Sequence, residues 1–433
     1  MPFSAIAATW QLLLGMGILM LGAGLQSTEI SLRATLEGFP APVTGAVMSC
    51  YYLGYLLGTA IAPRLVRRVG HIRVFAALAA VASAAILAQG LFVHPVSWAA
   101  LRGLSGLSFA GIYVVAESWL NDRASRTTRG GLFAIYMVVC YVGLGSSQFL
   151  LIAADPRGTT PFMLVAILIS LAIVPIVIAA QRAPEIALPR KVRYRDLYRD
   201  SPVGVAAVTA AGMITSSVYS MGPVYAKLSG FGISGVAVFM GVSVLAAVLM
   251  QYPVGRLSDR MDRRTVIAGM CALATVSAAA LVVFRTMPHA LLLVLTAAFS
   301  GSAFTLYSLG VSHVNDHLEP QQMVAASSAL LRMNGIGAAV SPVLVGSLIA
   351  VFGPPAYFGV LAGLTALLAL YGVWRKTRRR PIAAERKRPF VAAEPQAITG
   401  GLAAGGTDPA AGGARPAPSP RGPEAADCPR EPR

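Results

Sequence analysis

Apolar residues gather into long stretches separated by short polar loops, and this alternation runs through most of the chain. Twelve stretches are about 20 residues long, the length of a helix that crosses a hydrocarbon core of about 30 Å. Because backbone polar groups in lipid need partners within their own segment, each stretch is predicted to be a helix. The predicted spans are about 9–29, 43–63, 72–93, 96–120, 131–153, 160–180, 202–225, 234–254, 265–284, 289–313, 324–350 and 355–374.

Basic residues predict the orientation of these helices. Lys and Arg crowd the loops after the second, fourth, sixth and eighth spans and follow the twelfth, whereas the other side holds Arg33, Arg157, Lys227 and Arg285. We call the crowded side the basic end. The positive-inside rule makes it cytoplasmic, so both termini are predicted to lie inside. The net charge of +17 therefore indicates topology and not a nucleic-acid partner.

Composition supports an integral membrane protein. Hydrophobic residues make up 56% of the chain and charged residues 12%, whereas soluble domains carry about 25% charged residues. No Lys or Arg precedes Trp10, and the apolar run continues to about Ser27, so the first span is predicted to be retained rather than cleaved. No cofactor is predicted. His313 and His317, four residues apart, make only an incomplete metal site, so no metal is predicted either.

The longest connection between spans divides the chain into two groups of six. The predicted units are an N-terminal six-helix bundle (1–181), a basic cytoplasmic linker (182–201), a C-terminal six-helix bundle (202–376) and a cytoplasmic tail (377–433). The tail is rich in Ala, Gly and Pro with scattered charge, which predicts disorder.

Short motifs recur at nearly constant spacing, which indicates an internal repeat. The loop after the second span reads PRLVRRVGHIR from Pro63, and the loop after the eighth reads GRLSDRMDRR from Gly255, 192 residues later. SWLND from Ser118 and SHVND from Ser312 lie 194 residues apart, at the ends of the fourth and tenth spans. The two halves are therefore predicted to share one architecture.

Twelve helices in two similar halves joined by a basic loop resemble the major facilitator superfamily. GRLSDRMDRR resembles that family's loop signature, with Gly255, Asp259, Arg260, Arg263 and Arg264 in place and Asp262 where a second Gly is usual. The resemblance implies that this loop controls conformation. Asp259 is expected against a helix N-terminus, and Arg260 and Arg264 against acidic partners or lipid phosphates.

The N-terminal copy of the signature departs from the family pattern. Gly70 is present, but Pro63 replaces the first Gly and Arg67 stands where the Asp belongs. The segments AESWLN and MVAASSALL are similar to the YcaD-like bacterial branch of the superfamily. The resemblance implies an all-α membrane fold of two pseudo-symmetric six-helix bundles.

Four ionisable residues inside spans are candidates for proton coupling or gating, because such groups are costly to bury in a membrane. They are Glu29, Arg102, Glu117 and Arg332. In the family the first, fourth, seventh and tenth helices line a central cavity, so the resemblance implies that Glu29 and Arg102 are neighbours at a proton or substrate-anion site. The alternative is that Glu29 meets the headgroups and Arg102 snorkels outward.

Glu117 and Arg332 belong to opposite halves near the basic end. The resemblance implies that their helices approach each other in one transport state, where the pair would act as a latch. The alternative is that Glu117 pairs with an arginine of its own half. Polar and aromatic side chains predicted to line the central cavity are Gln26, Tyr113, Ser216, Ser217, Tyr219 and Tyr307.

These features together predict a secondary active transporter of the bacterial cytoplasmic membrane, working as a monomer by alternating access. Its predicted partners are a small-molecule substrate, a proton as coupling ion and membrane lipid. Export is favoured slightly over uptake, because the cavity is mainly apolar with few fixed charges. A sensor or scaffold on a transporter fold is the first alternative, and a membrane-embedded enzyme is the second. No catalytic residue is predicted, because the sequence offers no nucleophile with a general base.

Overall fold

Twelve long helices build the membrane body. The computed structural model describes residues 9–123, 129–178, 194–284, 287–378 and 390, and in those residues 12 helices are long and apolar enough to cross a membrane. We label them α1 to α12 in chain order. The first six are α1 (Trp10–Leu36), α2 (Ala41–Val69), α3 (His71–Leu91), α4 (Pro95–Arg123), α5 (Arg129–Leu150) and α6 (Thr160–Ile178), the last interrupted at Ala172.

The C-terminal six follow a short helix, Tyr194–Asp200, that lies in the predicted linker. They are α7 (Pro202–Leu228), α8 (Ile233–Arg260), α9 (Arg263–Val283), α10 (His289–Asn315), α11 (Pro320–Phe352) and α12 (Ala356–Arg378). The twelve predicted spans are confirmed. The helices α1, α2 and α8 run several residues beyond the predicted bounds, because their polar ends continue the helix past the apolar stretch.

Parts of the predicted linker and tail lie outside the described residues. The structure describes nothing between 179 and 193, and after Arg378 it describes Phe390 alone. The predicted disorder of the tail is therefore a prediction still.

The helices form two bundles that contact each other through a few pairs. Within the N-terminal half α1 packs on α5 and α6, and α2 packs on α4; within the C-terminal half α7 packs on α10 and α11, and α9 on α12. Between the halves α2 packs on α11, α5 on α8 and α1 on α7.

Two close backbone contacts between the halves lie away from the basic end. A Cβ atom on Gly45 of α2 would collide with the backbone of Pro342 in α11, and one on Gly346 of α11 would collide with Ala41 in α2. Glycine at both positions lets the two backbones touch, as is common where helices pack in membranes. The halves are therefore held together at the end opposite the basic loops.

Candidate functional site

A cavity lies between the two halves, and tyrosines dominate its wall. Its wider part is lined by Tyr51, Tyr52, Tyr55, Tyr141, Thr215, Tyr219, Phe304, Leu331, Asn334, Gly335 and Ala338. An adjoining part shares three of these tyrosines and adds Ala23, Gly24, Gln26, Ser27, Arg102 and Leu144. We call the two parts together the tyrosine cavity. Side chains from α2, α5, α7, α10 and α11 meet those from α1 and α4 there, so both halves contribute to it.

Close packing of α2 on α4 positions the charged corner of this cavity. A Cβ atom on Gly106 would collide with the Tyr51 carbonyl, and one on Gly54 would collide with Gly103. Because glycine occupies these positions, the two backbones approach closely. Arg102 lies one turn before Gly106, and its guanidinium carbon lies 4.5 Å from the centroid of the Tyr51 ring. This is a cation–π contact.

Arg102 is buried, with 3% of its surface exposed, and its Nε atom has no hydrogen-bond partner among the described residues. The ion pairs among the described residues do not include it. The ionisable groups that act on it electrostatically are Tyr51, Tyr52 and Cys50. Arg102 therefore faces the tyrosine cavity and is not directed outward to the membrane surface.

Polar side chains of α1 face the same space. Ser27 donates a hydrogen bond to the Tyr219 carbonyl of α7 over 3.2 Å, which links the two halves beside the cavity. Gln26 is 1% exposed, and its Nε2 atom has no hydrogen-bond partner within the described ranges. On the far wall Asn334 of α11 donates to the Val208 carbonyl over 3.0 Å, within the C-terminal half.

Glu29 is not among the described α1 residues that line the tyrosine cavity. Gly15, Gly22 and Glu29 are spaced by seven residues and so share one helix face. A Cβ on Gly15 would lie 2.7 Å from Ile176 of α6, and one on Gly22 would lie 3.2 Å from Ile169 of the same helix. The groups that act electrostatically on Glu29 are Arg33 and Asp155, and those that act on Arg102 are Tyr51, Tyr52 and Cys50, so the structure does not bring Glu29 to Arg102 as the resemblance implied.

The Glu29 carboxyl group is fully buried, at 0% exposure, and in the part of the chain that the structure describes neither of its oxygens has a hydrogen-bond partner. Its electrostatic neighbours are Arg33 of the same helix and Asp155 of the loop before α6. Arg33 itself donates to the carbonyls of Pro156 and Gly158, each over 2.9 Å, and ties the end of α1 to that loop. Glu29 thus occupies an enclosed site near the end opposite the basic loops.

The two residues of the predicted latch lie in different surroundings. Glu117 is completely buried in α4, within electrostatic range of Tyr307 in α10. Arg332 is exposed in α11. A latch between them remains a prediction.

Only two of the six predicted cavity residues, Gln26 and Tyr219, line the tyrosine cavity. The other four are buried in helix packing instead. The Tyr113 hydroxyl lies 3.4 Å from the Met20 sulfur, and Ser217 lies 2.7 Å from Ser341, oxygen to oxygen. Ser216 donates to its own helix at Met213, and Tyr307 is 4% exposed in α10.

The loop signature between α8 and α9 is organised by an aspartate other than the predicted one. Asp262 is the N-cap of α9: it accepts a hydrogen bond from the Arg264 amide over 3.0 Å, and its carboxylate pairs with the Arg264 guanidinium at 2.9 Å. The sequence predicted Asp259 at a helix N-terminus, and it lies instead in the last turn of α8. Arg260 is exposed there. The residue that replaces the family's second Gly is thus the one that caps the helix.

The electrostatics of Asp262 follow from this geometry. Partial burial acts to raise the pKa of its carboxyl group, and the hydrogen bonds from Arg264 outweigh that effect. The pKa of Asp262 is therefore lowered from its ordinary value.

A buried ion pair joins this loop to the end of α10. The Arg263 Nε atom lies 2.7 Å from the Asp316 carboxylate, and the two side chains are 1% and 2% exposed. Arg263 also donates to Ser258 over 3.1 Å and lies 3.5 Å from Asp259. Asp316 is the last residue of SHVND, so this motif and the loop signature form one cluster.

Phe390 from the tail packs against the loop signature. Its backbone amide donates to the Asp259 carboxylate over 2.8 Å. A Cβ on Gly255 would lie 2.5 Å from the Phe390 ring, so glycine leaves the room that the ring occupies. Gly255 and Asp259 therefore hold a residue of the tail in this structure.

His313 and His317 stack edge to face with ring centroids 4.8 Å apart. In the described residues no group of three or more His, Cys, Asp or Glu is placed to hold a metal ion.

The sequence carried signals for two features that were missed. The run YYLGY places Tyr51, Tyr52 and Tyr55 in five residues of an apolar helix, which is unusual enough to indicate a site. The repeat spacing of 192 aligns Arg263 with His71, each the first residue of its helix. The two helix starts are therefore corresponding polar positions, and this correspondence is a sequence signal for a polar partner at each of them.

A family model described as the Major Facilitator Superfamily matches residues 12–330 and 236–410. The chain belongs to the major facilitator superfamily. An uncharacterised MFS-type transporter of Enterobacter sp. (strain 638) is 28% identical over 374 residues, covering 86% of this chain and 96% of its own. YcaD of Escherichia fergusonii, also an uncharacterised MFS-type transporter, is 27% identical over 361 residues, with 83% and 93% covered. The resemblance to the YcaD-like branch is confirmed.

Solved structures of transporters share the fold. The nucleoside transporter NupG has a TM-score of 0.72 at 14% identity, covering 85% of this chain and 98% of its own. A bacterial homologue of the human lysosomal transporter Spinster, inward-facing and unoccupied, has a TM-score of 0.66 at 13% identity, with 86% and 95% covered. The human organic anion transporter MFSD10 has a TM-score of 0.58 at 14% identity, with 85% and 99% covered.

The predicted fold class, two pseudo-symmetric six-helix bundles, is therefore confirmed. The protein is a multi-pass inner-membrane protein of a transporter family.

Proposed function

We propose that this superfamily member is a secondary active transporter that moves a small molecule across the cytoplasmic membrane by alternating access. The observation that carries the proposal is the position of the tyrosine cavity, which is built by both halves and lies between them. Rocking of the halves about such a central site would open it to each side in turn. The close contacts of Gly45 and Gly346 at one end supply a surface that can separate in that motion.

The proposed orientation places the basic end and both termini in the cytoplasm. In that orientation the contact of α2 with α11 closes the cavity on the outer side. Export is the proposed direction, since a cavity walled mainly by aromatic and apolar side chains suits an amphipathic molecule taken from the cytoplasm.

We propose that the transporter is coupled to protons and that Glu29 carries the coupling proton. A carboxyl group without hydrogen-bond partners costs less free energy to bury with its proton than without it. Glu29 is in that situation. Opening the outer end would let water reach Glu29, so release of the proton would be linked to the conformational change.

Spin-label distances test alternating access without knowledge of the substrate. In a variant lacking the native cysteines, one label pair is placed at Arg67 and Arg256 on the basic end, and a second pair at Phe92 and Phe284 on the opposite end. All four side chains are exposed. We expect two distance populations for each label pair. The population with the longer distance at one end should have the shorter distance at the other end. A single fixed distance for both pairs under all conditions would contradict the proposal.

The same label pairs test the role of Glu29. Moving the wild type from mildly alkaline to mildly acidic buffer is expected to shift the populations, and Glu29→Gln is expected to abolish the shift, because the amide cannot release a proton. Asp122→Asn is the control, since Asp122 is an exposed carboxylate that is not among the electrostatic neighbours of Glu29. An unchanged pH response in Glu29→Gln would rule out Glu29 as the coupling site.

A further inference from the structure

The tyrosine cavity holds one fixed positive charge and, in its described lining, no Asp or Glu. The charge belongs to Arg102, which is buried and takes part in no ion pair with a described residue. Tyr51 supplies only the face of its ring. An isolated cation at this depth is costly, and a ligand anion would offset that cost.

The nearest buried carboxyl group of the first helix does not neutralise this charge. The electrostatic neighbours of Glu29 are Arg33 and Asp155. Arg102 is acted on by Tyr51, Tyr52 and Cys50 instead. The positive charge in the cavity is therefore available to a ligand.

Two hydrogen-bond donors in this corner of the cavity are unused. The Nε atom of Arg102 and the Nε2 atom of Gln26 are buried without an acceptor from any described residue, and both residues line the same part of the cavity. Unused donors beside a positive charge fit the oxygens of an anionic group.

The remainder of the cavity fits a flat apolar body. Tyr51, Tyr52, Tyr55 and Tyr219 line it, and Tyr219 meets Phe304 edge to face with centroids 5.7 Å apart. Aromatic side chains favour aromatic partners in offset or edge-to-face arrangements. The wall joins α2 of one half to α7 and α10 of the other, so a ring held there would touch both halves.

We propose that the tyrosine cavity binds a small aromatic anion, with its oxygens on Arg102 and Gln26 and its ring among the tyrosines. This inference rests on the proposed function, because it names the class of molecule that the transporter would carry. Carboxylate, sulfonate and phosphonate groups share the required chemistry.

Equilibrium binding to the purified full-length protein tests the class. Isothermal titration compares phenylacetate with phenylacetamide, phenethylammonium and cyclohexylacetate, and benzenesulfonate and phenylphosphonate identify the preferred oxyanion. Phenylacetate is expected to bind about 10-fold to 100-fold more tightly than phenylacetamide, the effect of a charge-assisted hydrogen bond. Phenethylammonium is expected not to bind, and cyclohexylacetate to bind more weakly than phenylacetate. Equal or tighter binding of phenylacetamide or phenethylammonium would overturn the proposal.

Variants locate the site. Arg102→Gln is expected to lower phenylacetate affinity about 10-fold or more, with Arg102→Lys in between and Arg157→Gln, an exposed arginine in the loop before α6, unchanged. Tyr52→Leu is expected to remove the preference for phenylacetate over cyclohexylacetate. Unchanged phenylacetate affinity in Arg102→Gln would place the anion elsewhere and overturn the assignment.

The wild-type ligand series decides the question even if Arg102→Gln fails to fold. Binding at equilibrium also needs no change of conformation. If phenylacetate binds but the spin-label distances stay fixed, the ligand class is supported and alternating access is contradicted. If the distances change but phenylacetate does not bind, the ligand class alone is contradicted.

Discussion

At the two copies of the repeated loop, corresponding helices are connected by different interactions. In the C-terminal half Arg263, the first residue of α9, forms a buried ion pair with Asp316 just past α10 at 2.7 Å. In the N-terminal half His71, 192 residues earlier, is the first residue of α3, and its Nε2 atom lies 3.1 Å from the Ser118 hydroxyl of α4. An ion pair in one half thus corresponds to a single hydrogen bond in the other.

The residue before each helix start differs as well. Asp262 caps α9 through its side chain, whereas Gly70 precedes α3 with φ of +92° and offers no side chain. Asp122, which corresponds to Asp316, is exposed. The repeat therefore determines which helix ends contact each other, but the strength of that contact differs between the two halves. We expect the C-terminal half to be the more rigid one at the basic end.

Removing the charge of Asp316 is the strongest test of this difference. Asp316→Asn leaves the Arg263 guanidinium buried without its closest counter-charge, and breaking such a pair costs about 3–5 kcal/mol. The matched change Asp122→Asn is expected to cost less than about 0.5 kcal/mol, because that side chain is exposed. Denaturant titration of the purified protein, followed by tryptophan fluorescence, measures both free energies of unfolding.

A double variant separates the pair from the packing around it. Arg263→Met combined with Asp316→Leu removes both charges, so it is expected to recover much of the loss seen in Asp316→Asn. Equal losses of unfolding free energy in Asp316→Asn and Asp122→Asn would show that the corresponding contacts in the two halves contribute equally to stability.

The corresponding test in the N-terminal half is Gly70→Ala. The backbone of Gly70 has φ of +92° and ψ of 161°, a region that other residues rarely adopt, and no atom lies within 4 Å of a Cβ placed there. The expected loss of about 1–3 kcal/mol is therefore backbone strain alone.

Gly269→Ala is the control for Gly70→Ala. Gly269 lies within α9, also with nothing within 4 Å of an added Cβ. There alanine is expected to be neutral or to stabilise by up to about 1 kcal/mol, because alanine favours a helix. Thermal unfolding of both variants distinguishes strain at Gly70 from a general effect of the methyl group, and equal shifts would exclude strain.

The sequence predicted the helices and the repeat, because the length of an apolar stretch is set by the bilayer. It did not predict which side chains meet between helices. In a membrane protein the lipid-facing surface is as apolar as the packed one, so hydropathy does not reveal how each helix is rotated. Glu29 and Gln26 lie on one helix, three residues apart, yet Gln26 lines the tyrosine cavity and Glu29 is buried beside Arg33 and Asp155.

The ion pair of Arg263 with Asp316 was missed for a similar reason. Both residues stood in quoted motifs, 53 positions apart, but the pairing depends on how the ends of α9 and α10 come together. The position of Phe390 against Gly255 could not be predicted, because a single aromatic residue in a polar tail carries no periodic pattern.

The smallest expected effect is a pH dependence of the unfolding free energy that arises from the loop between α8 and α9 and not from its N-terminal counterpart. Partial burial acts to raise the pKa of Asp262, but the hydrogen bonds and the charge of Arg264 lower it further than burial raises it. A carboxyl group whose pKa is lower in the folded protein stabilises the fold fully above its unfolded pKa of about 3.9. That stabilisation is lost as the pH falls through the folded pKa.

Asp262→Asn isolates this contribution, because the amide oxygen can still cap α9 but cannot titrate. The wild type is expected to exceed the variant in unfolding free energy by about 1 kcal/mol at neutral pH, and the excess is expected to shrink below about pH 4. The N-terminal loop has Gly70 at the corresponding position, so it adds nothing to that difference. An excess that stays constant down to low pH would mean that the Asp262 charge does not stabilise the fold, and the contrast between the loops would then rest on Arg263 and Asp316.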